Sequence, residues 1–302
     1  MCGAGAGDAV PVAGYVIPAD LPPDAAHIDH ARRGATDAAL AFTAASGFSD
    51  AIIAGTDADS RVTPQWLAAL KAAFAAPIDA VCGAIDIDEP MPAALARARA
   101  DEAAYAEMTA RVSAHLDPLP HDAFPNHIWC WGANLAVRAT MLAAVGGSPA
   151  VALAEDRALH AVLLRHGARI RHSEAVRVLT SARSDGRAPG GFADLMAQYS
   201  EDRAALADFW LEPAALTWAR AAQRGAARRA WLETASGQSG SFGAYWADHE
   251  ARSPALAPQR VSLAGLPAET DGLALMLRYT ADRSGIAADA AATPASHREP
   301  VP

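Results

Sequence analysis

Ala51-Ile52-Ile53-Ala54-Gly55-Thr56-Asp57-Ala58-Asp59-Ser60 decides the fold class, because a short apolar run stops abruptly at two carboxylates with one alanine between them. Such runs form buried strands, and the crevice beyond the carboxyl ends of strands is where open α/β sheets bind ligands. At period two, Asp57 and Asp59 of an extended chain face one side. Both can then address one Mg²⁺ or Mn²⁺ that also holds phosphates. Asp-x-Asp also arises in loops, where aspartate serves as a turn residue or helix cap, and that structural reading stands beside the metal one. The residues that follow, Arg61-Val62-Thr63-Pro64-Gln65-Trp66-Leu67, predict a helix. Thr63 caps it, Pro64 suits its first position, and Trp66, Leu67, Leu70 and Phe74 form one apolar stripe.

Three further stretches follow in order: Trp131-Gly132-Ala133-Asn134-Leu135-Ala136-Val137-Arg138, Val145-Gly146-Gly147, and Ala154-Glu155-Asp156-Arg157-Ala158-Leu159. With the Asp-x-Asp strand and its Pro-x-Trp-Leu helix, they resemble the family 2 glycosyltransferases of the GT-A fold across residues 31–192. The resemblance implies an α/β fold of GT-A type, a Rossmann-like mixed sheet flanked by helices, here with a helical C-terminal extension. It also implies a metal-dependent enzyme that moves a sugar from a nucleoside-diphosphate sugar to an acceptor hydroxyl with inversion. Asp57 and Asp59 would bind donor and metal, Asp59 as the direct ligand. Asp156 would be the general base, and Glu155 would orient it or the acceptor. Two acids in a first helical turn also complement the helix dipole, which is the structural alternative for Glu155 and Asp156. Thr180-Ser181-Ala182-Arg183-Ser184-Asp185-Gly186-Arg187 resembles a segment of a bacterial subgroup of the family, which makes Arg183 and Arg187 donor-binding residues on a Gly-rich flap.

The chain departs from that family ahead of the Ala31-Arg32-Arg33-Gly34 helix. Residues 1–9 read as a flexible tail and Val10 to Pro18 as a strand, after which only the proline-rich Leu21 to His30 remains. A βαβ crossover takes about 30 residues. The donor-binding half therefore reads as shortened, and a GT-A remnant that serves as a binding or partner protein is the second expectation. A strand ending in Asp-x-Asp is also how haloacid dehalogenase-type phosphatases present a nucleophile. They need a later lysine, and Lys71, the only one, sits just after the motif.

A net charge of -9 argues against a nucleic-acid or anionic-membrane surface. No run reaches the length of a membrane span and the N-terminus lacks a secretory signal, so a soluble, cytoplasmic protein is expected. Cys2, Cys82 and Cys130 are odd in number and widely spaced, which fits a reducing compartment and packing roles. His115, His121 and His127 match no zinc spacing. Trp129 and Trp131 serve either an acceptor pocket or packing. Asp86, Asp88 and Glu89 read as a solvated strand end, and Pro92 to Arg111 as a mostly exposed helix. The expected organisation is a glycosyltransferase-like domain over 10–192, a helical extension over 193–283, and a disordered tail over 284–302.

Overall fold

Where apolar residues alternate the chain forms strands, and where they recur at helical spacing it covers them. In a computed structural model, residues 28–48, 50–87, 89–151, 153–181, 192–201, 205–234 and 240–284 are described, with residues 14, 16 and 18. The five strands are β1 (Ile52–Thr56), β2 (Arg61–Val62), β3 (Ala80–Ile87), β4 (Asn134–Arg138) and β5 (Ile170–Thr180). They form one mixed sheet in the order β1-β4-β3-β5-β2, with β3 and β5 parallel and the other neighbours antiparallel. Around it lie α1 (Ile28–Ala45), α2 (Trp66–Phe74), α4 (Ala139–Ala144) and α5 (Glu155–Arg165), with α3 (Ala93–Leu116) between β3 and β4 in the chain. The expected tail over residues 1–9, the strand over 10–18 save residues 14, 16 and 18, Asp88, and residues 285–302 fall outside the described residues.

Period-two alternation sorts the sheet into two faces. Ala80, Cys82, Leu135, Val137 and Ile170 point to one face and pack with Leu142 of α4 and with Leu159 and Leu163 of α5. Val81, Ala136 and Val176 point to the other and meet Leu70 and Phe74 of α2. Gly146 and Gly147, both at φ 83, turn the chain out of α4 as the sequence predicts, and Gly167, also at φ 83, follows the end of α5. Arg138 closes the other end of the sheet. Its Nε donates to the Ile78 carbonyl at 2.7 Å, its Nη2 to that of Phe74 at 2.8 Å, and its guanidinium lies over the Phe74 ring.

The β3–β5 ladder breaks between Gly83 and Ala84, where Gly83 pairs with Ser173 but Ala84 pairs with Arg177. Asn134 fills the break. Its Nδ2 donates to the carbonyls of Ala84 at 2.8 Å and Val176 at 2.9 Å, while its Oδ1 accepts from Trp66 Nε1 at 3.0 Å. A Cβ on Gly83 would stand 2.1 Å from that Nδ2, so only glycine leaves room for the carboxamide.

Beyond β5 the described residues include the helices α6 (Phe192–Glu201), α7 (Ala214–Thr234), α8 (Phe242–Ala251) and α9 (Leu266–Ser284). Helix α3 is not mostly exposed. It buries Leu95, Ala98, Tyr105, Ala106 and Val112 in a core shared with Met196, Tyr199, Leu211, Leu266 and Leu273. Glu102 lies within this stripe and disguises it, being 1% exposed yet bonded to Tyr199 Oη, the Asp208 N–H and Arg99. Burial pushes its carboxyl up, against the pull of Tyr199 and Arg99. Asp117, just past α3, is also buried, but bonds from Arg228 and Arg224 outweigh that burial and hold its carboxyl below the usual range.

Asn134→Leu is expected to leave two carbonyls and an indole N–H without partners. At about 1–3 kcal/mol for each unsatisfied group, urea unfolding should show a loss of at least about 3 kcal/mol.

His127 and His160 are buried, and burial, aided by the neighbouring His172, pushes each imidazole down to about 3. The unfolded chain protonates near 6.5 while the native one does not, so their stability is complete above about pH 6.5 and lost as pH falls toward about 3. His127→Gln should therefore flatten the pH dependence of urea stability between about pH 6 and 4 by roughly 1.4 kcal/mol per pH unit.

Candidate active site

β1 ends at Thr56, and the chain then turns, with the Ser60 N–H donating to the Asp57 carbonyl at 3.0 Å. Asp57 and Asp59 therefore sit in the turn between β1 and β2. The extended-chain geometry assumed for them gives way to a turn that carries the chain from β1 at one edge of the sheet to β2 at the other, with Asp57 partly buried and Asp59 exposed. Because β4 runs antiparallel beside β1, with Thr56 opposite Asn134, this turn lies next to Trp131-Gly132-Ala133.

A residue from outside the four motifs joins them. Arg32 of α1 donates from Nη2 to Asp57 Oδ1 and from Nη1 to Glu155 Oε1, one guanidinium forked between two carboxylates. Gly132 makes this passage possible, since a Cβ there would stand 2.0 Å from Arg32 Nη1. Burial raises the Glu155 carboxyl, Arg32 opposes that rise, and the charges of Asp156 and Asp57 add to it. Asp156 faces the same place from the next position. Its Oδ2 accepts the Gly132 N–H at 3.0 Å and its Oδ1 the Arg157 N–H at 2.7 Å. Ala154, which precedes the pair, is left-handed at φ 59, a conformation that costs a non-glycine residue about 1–2 kcal/mol. That strain sets the direction from which α5 presents its two acids.

Trp131, one residue before Gly132, joins Trp129, Met91, Arg99, Ala84 and Asp86 in walling a cavity of about 330 Å³ that none of the acids Asp57, Glu155 and Asp156 lines. The two indoles stack at 4.9 Å between centroids and 16° between planes. Trp131 is the neighbour of Gly132, so the aromatic wall ends one residue from the backbone N–H that holds Asp156.

Of the residues singled out in the sequence, Asp57, Glu155 and Asp156 thus converge, and Asp59 stands on the exposed rim of the same turn. Arg183 and Arg187 lie outside the described residues. Lys71 is exposed in the last turn of α2. Asn134 of the Gly-x-Asn motif is buried in the sheet rather than presented to a ligand. Arg32 was not legible, because it belongs to no motif and reaches the site only through the packing of α1. Asp57 and Asp59 are the residues of this turn that could hold a hard cation, since Mg²⁺ takes one or two protein carboxylates and completes its shell with phosphates and water. Arg32 engages only the Oδ1 of Asp57.

Arg32→Met should leave Glu155, 9% exposed at its side chain, without its cation. Removing one partner of such a pair costs up to about 3–5 kcal/mol. A carboxyl whose pKa is raised by burial destabilises the fold while ionised and ceases to do so as pH falls through that pKa. The variant's melting temperature should thus fall clearly at pH 8 and approach wild type near pH 5; an equal deficit at both would show that Arg32 acts by packing.

Among the described residues no helix is long and apolar enough to cross a membrane. Comparison of the chain with family models, with curated proteins and with solved structures yields no match.

Proposed function

We propose that this chain is a GT-A type glycosyltransferase that moves a sugar from a nucleoside-diphosphate sugar to an acceptor hydroxyl with inversion. The observation that carries the reading is the convergence of Asp57, Arg32, Glu155 and Asp156, from three separate segments, around Gly132, whose sequence neighbour Trp131 walls a cavity. Asp57 and Asp59 are the residues that would hold Mg²⁺ or Mn²⁺, which when bound neutralises charge on the departing diphosphate. Arg32 places a fixed positive charge at the same spot, and Arg183 and Arg187 would add to it. The Asp156 carboxylate, aimed by two backbone N–H groups, takes the acceptor proton. Glu155, pinned by Arg32, positions the start of α5. Trp129 and Trp131 offer flat apolar faces to the acceptor, with Arg99 and Asp86 as polar contacts. With Asp156 as the base, one direct displacement follows, hence inversion.

A second reading, in which the chain binds nucleotide or a partner without transfer, is favoured by two features. Arg32 already neutralises Asp57, as a resident cation would, and the outer edge of β1 carries no strand among the described residues.

Calorimetry with UDP and GDP, with and without Mn²⁺, tests the donor site: metal should strengthen binding in wild type but not in Asp59→Ala. Release of nucleotide from a panel of UDP- and GDP-sugars then tests catalysis. Asp156→Asn should keep metal-dependent nucleotide affinity and cut turnover by about 10²–10⁴-fold, whereas Glu155→Gln should cost less. Unchanged turnover in Asp156→Asn would sink the base assignment, and nucleotide binding with no turnover of any donor would favour the second reading.

A further inference from the structure

Cys82 lies on β3, Cys130 in the segment before β4, and His160 on α5, yet one ligand atom from each falls within 4.8 Å of the other two. Both thiols are fully buried and His160 is 7% exposed. They sit among Leu135, Leu142, Leu159, Leu163 and Ile170, which supply no polar side chain. The Nε2 of His160 has no hydrogen-bond partner. A buried polar atom left unpaired in a native core calls for an explanation, and an ion is one of the few available. The ring is held in place edge-to-face by His172, 5.8 Å away, and by Trp210, 5.3 Å away. It is thus kept in orientation without spending its Nε2.

We propose that Cys82, Cys130 and His160 form a buried site for one Zn²⁺, a structural metal that ties β3, the segment before β4 and α5 together. Two thiolates and a neutral imidazole cancel the charge of Zn²⁺, so the complex is neutral in an apolar core where an uncompensated charge would be costly. As the two Zn–S bonds form, both thiol protons leave to solvent. Sulfur and imidazole select zinc over the magnesium class, so this site is chemically distinct from the oxygen pair Asp57 and Asp59. Zn–S bonds of about 2.3 Å and Zn–N bonds of about 2.0 Å at a tetrahedral centre hold ligand atoms roughly 3.5–3.8 Å apart. The three atoms need therefore draw together by no more than about 1.3 Å. The fourth position falls to a water or to His172, which pairs with Cys82 in the β3–β5 register.

The consequence for the molecule is mechanical. His160 stands on the same helix as Glu155 and Asp156, so a metal there pins the element that presents the acid pair. The proposal does not rest on sugar transfer, and its readouts do not use activity.

The test takes the full chain, purified under reducing conditions and stripped of metal. Titration with Co²⁺ should give thiolate-to-cobalt charge-transfer bands with tetrahedral d–d bands, saturating at one equivalent and displaced by Zn²⁺, and Zn²⁺ should raise the melting temperature. Cys82→Ser and Cys130→Ser should lose the thiolate bands or bind at least tenfold more weakly. Cys2→Ser and the double change Asp57→Ala, Asp59→Ala should keep them. Should the serine variants of the buried pair fail to fold, the wild-type and Cys2→Ser spectra still decide. Absence of thiolate bands in wild type at excess Co²⁺, their loss in Cys2→Ser, or a Cys82–Cys130 disulfide in place of bound zinc would overturn the site.

Discussion

The carboxamide of Asn134 is the contact on which the rest of the sheet depends. Where the β3–β5 ladder breaks, the carbonyls of Ala84 and Val176 lose their strand partners, and a buried carbonyl without a donor is expensive. One side-chain NH₂ satisfies both, while the oxygen of the same amide takes the Trp66 indole from the helix on the far face. Four elements are thereby fixed by one residue: β3, β4, β5 and α2. Beyond the break β3 goes on pairing with β5 as far as Ile87 opposite Thr180, and this carboxyl end of β3 lines the tryptophan-walled cavity.

Electrostatics organises the other side of the molecule's chemistry. Asp57, Glu155 and Asp156 would repel one another at the end of β1 if nothing intervened, and burial adds to the cost for Glu155. The Arg32 guanidinium answers both problems with two hydrogen bonds, a geometry that a lysine ammonium cannot reproduce. The glycine at 132 and the left-handed Ala154 are backbone concessions to the same cluster, one yielding space to the guanidinium and the other aiming α5.

The helical extension follows the same logic with different residues. α3 carries a buried acid at mid-length and another at its end, each matched to partners from the C-terminal helices: Glu102 to Tyr199 and the Asp208 backbone, Asp117 to Arg224 and Arg228. These pairs fix the register in which the later helices dock on α3, while the apolar stripe supplies the burial. The extension is therefore packed through a helix that belongs, in chain order, to the sheet domain.

By itself the sequence determined the local pieces. Ile52 to Thr56 is a strand and Trp66 to Phe74 a helix because an apolar run and helical spacing are written in neighbouring residues, although the strand is a half-exposed edge and not the buried one the run implied. Gly146-Gly147 closes α4 and Gly167 follows α5 because the sign of φ at a turn is a local property. The resemblance carried by the Asp-x-Asp, Gly-x-Asn and Glu-Asp stretches named three acids that the fold does bring together. Only the tertiary structure decided what depends on distance between segments. Asn134 looked like part of a ligand motif and is a bond-filling core residue; α3 looked exposed because charged residues interrupt its stripe, yet one of them, Glu102, is buried with partners of its own. Arg32 reached the acids through helix packing that no spacing encodes. Cys82, Cys130 and His160 match no metal motif, because the sheet and α5, not the chain between them, set their separation.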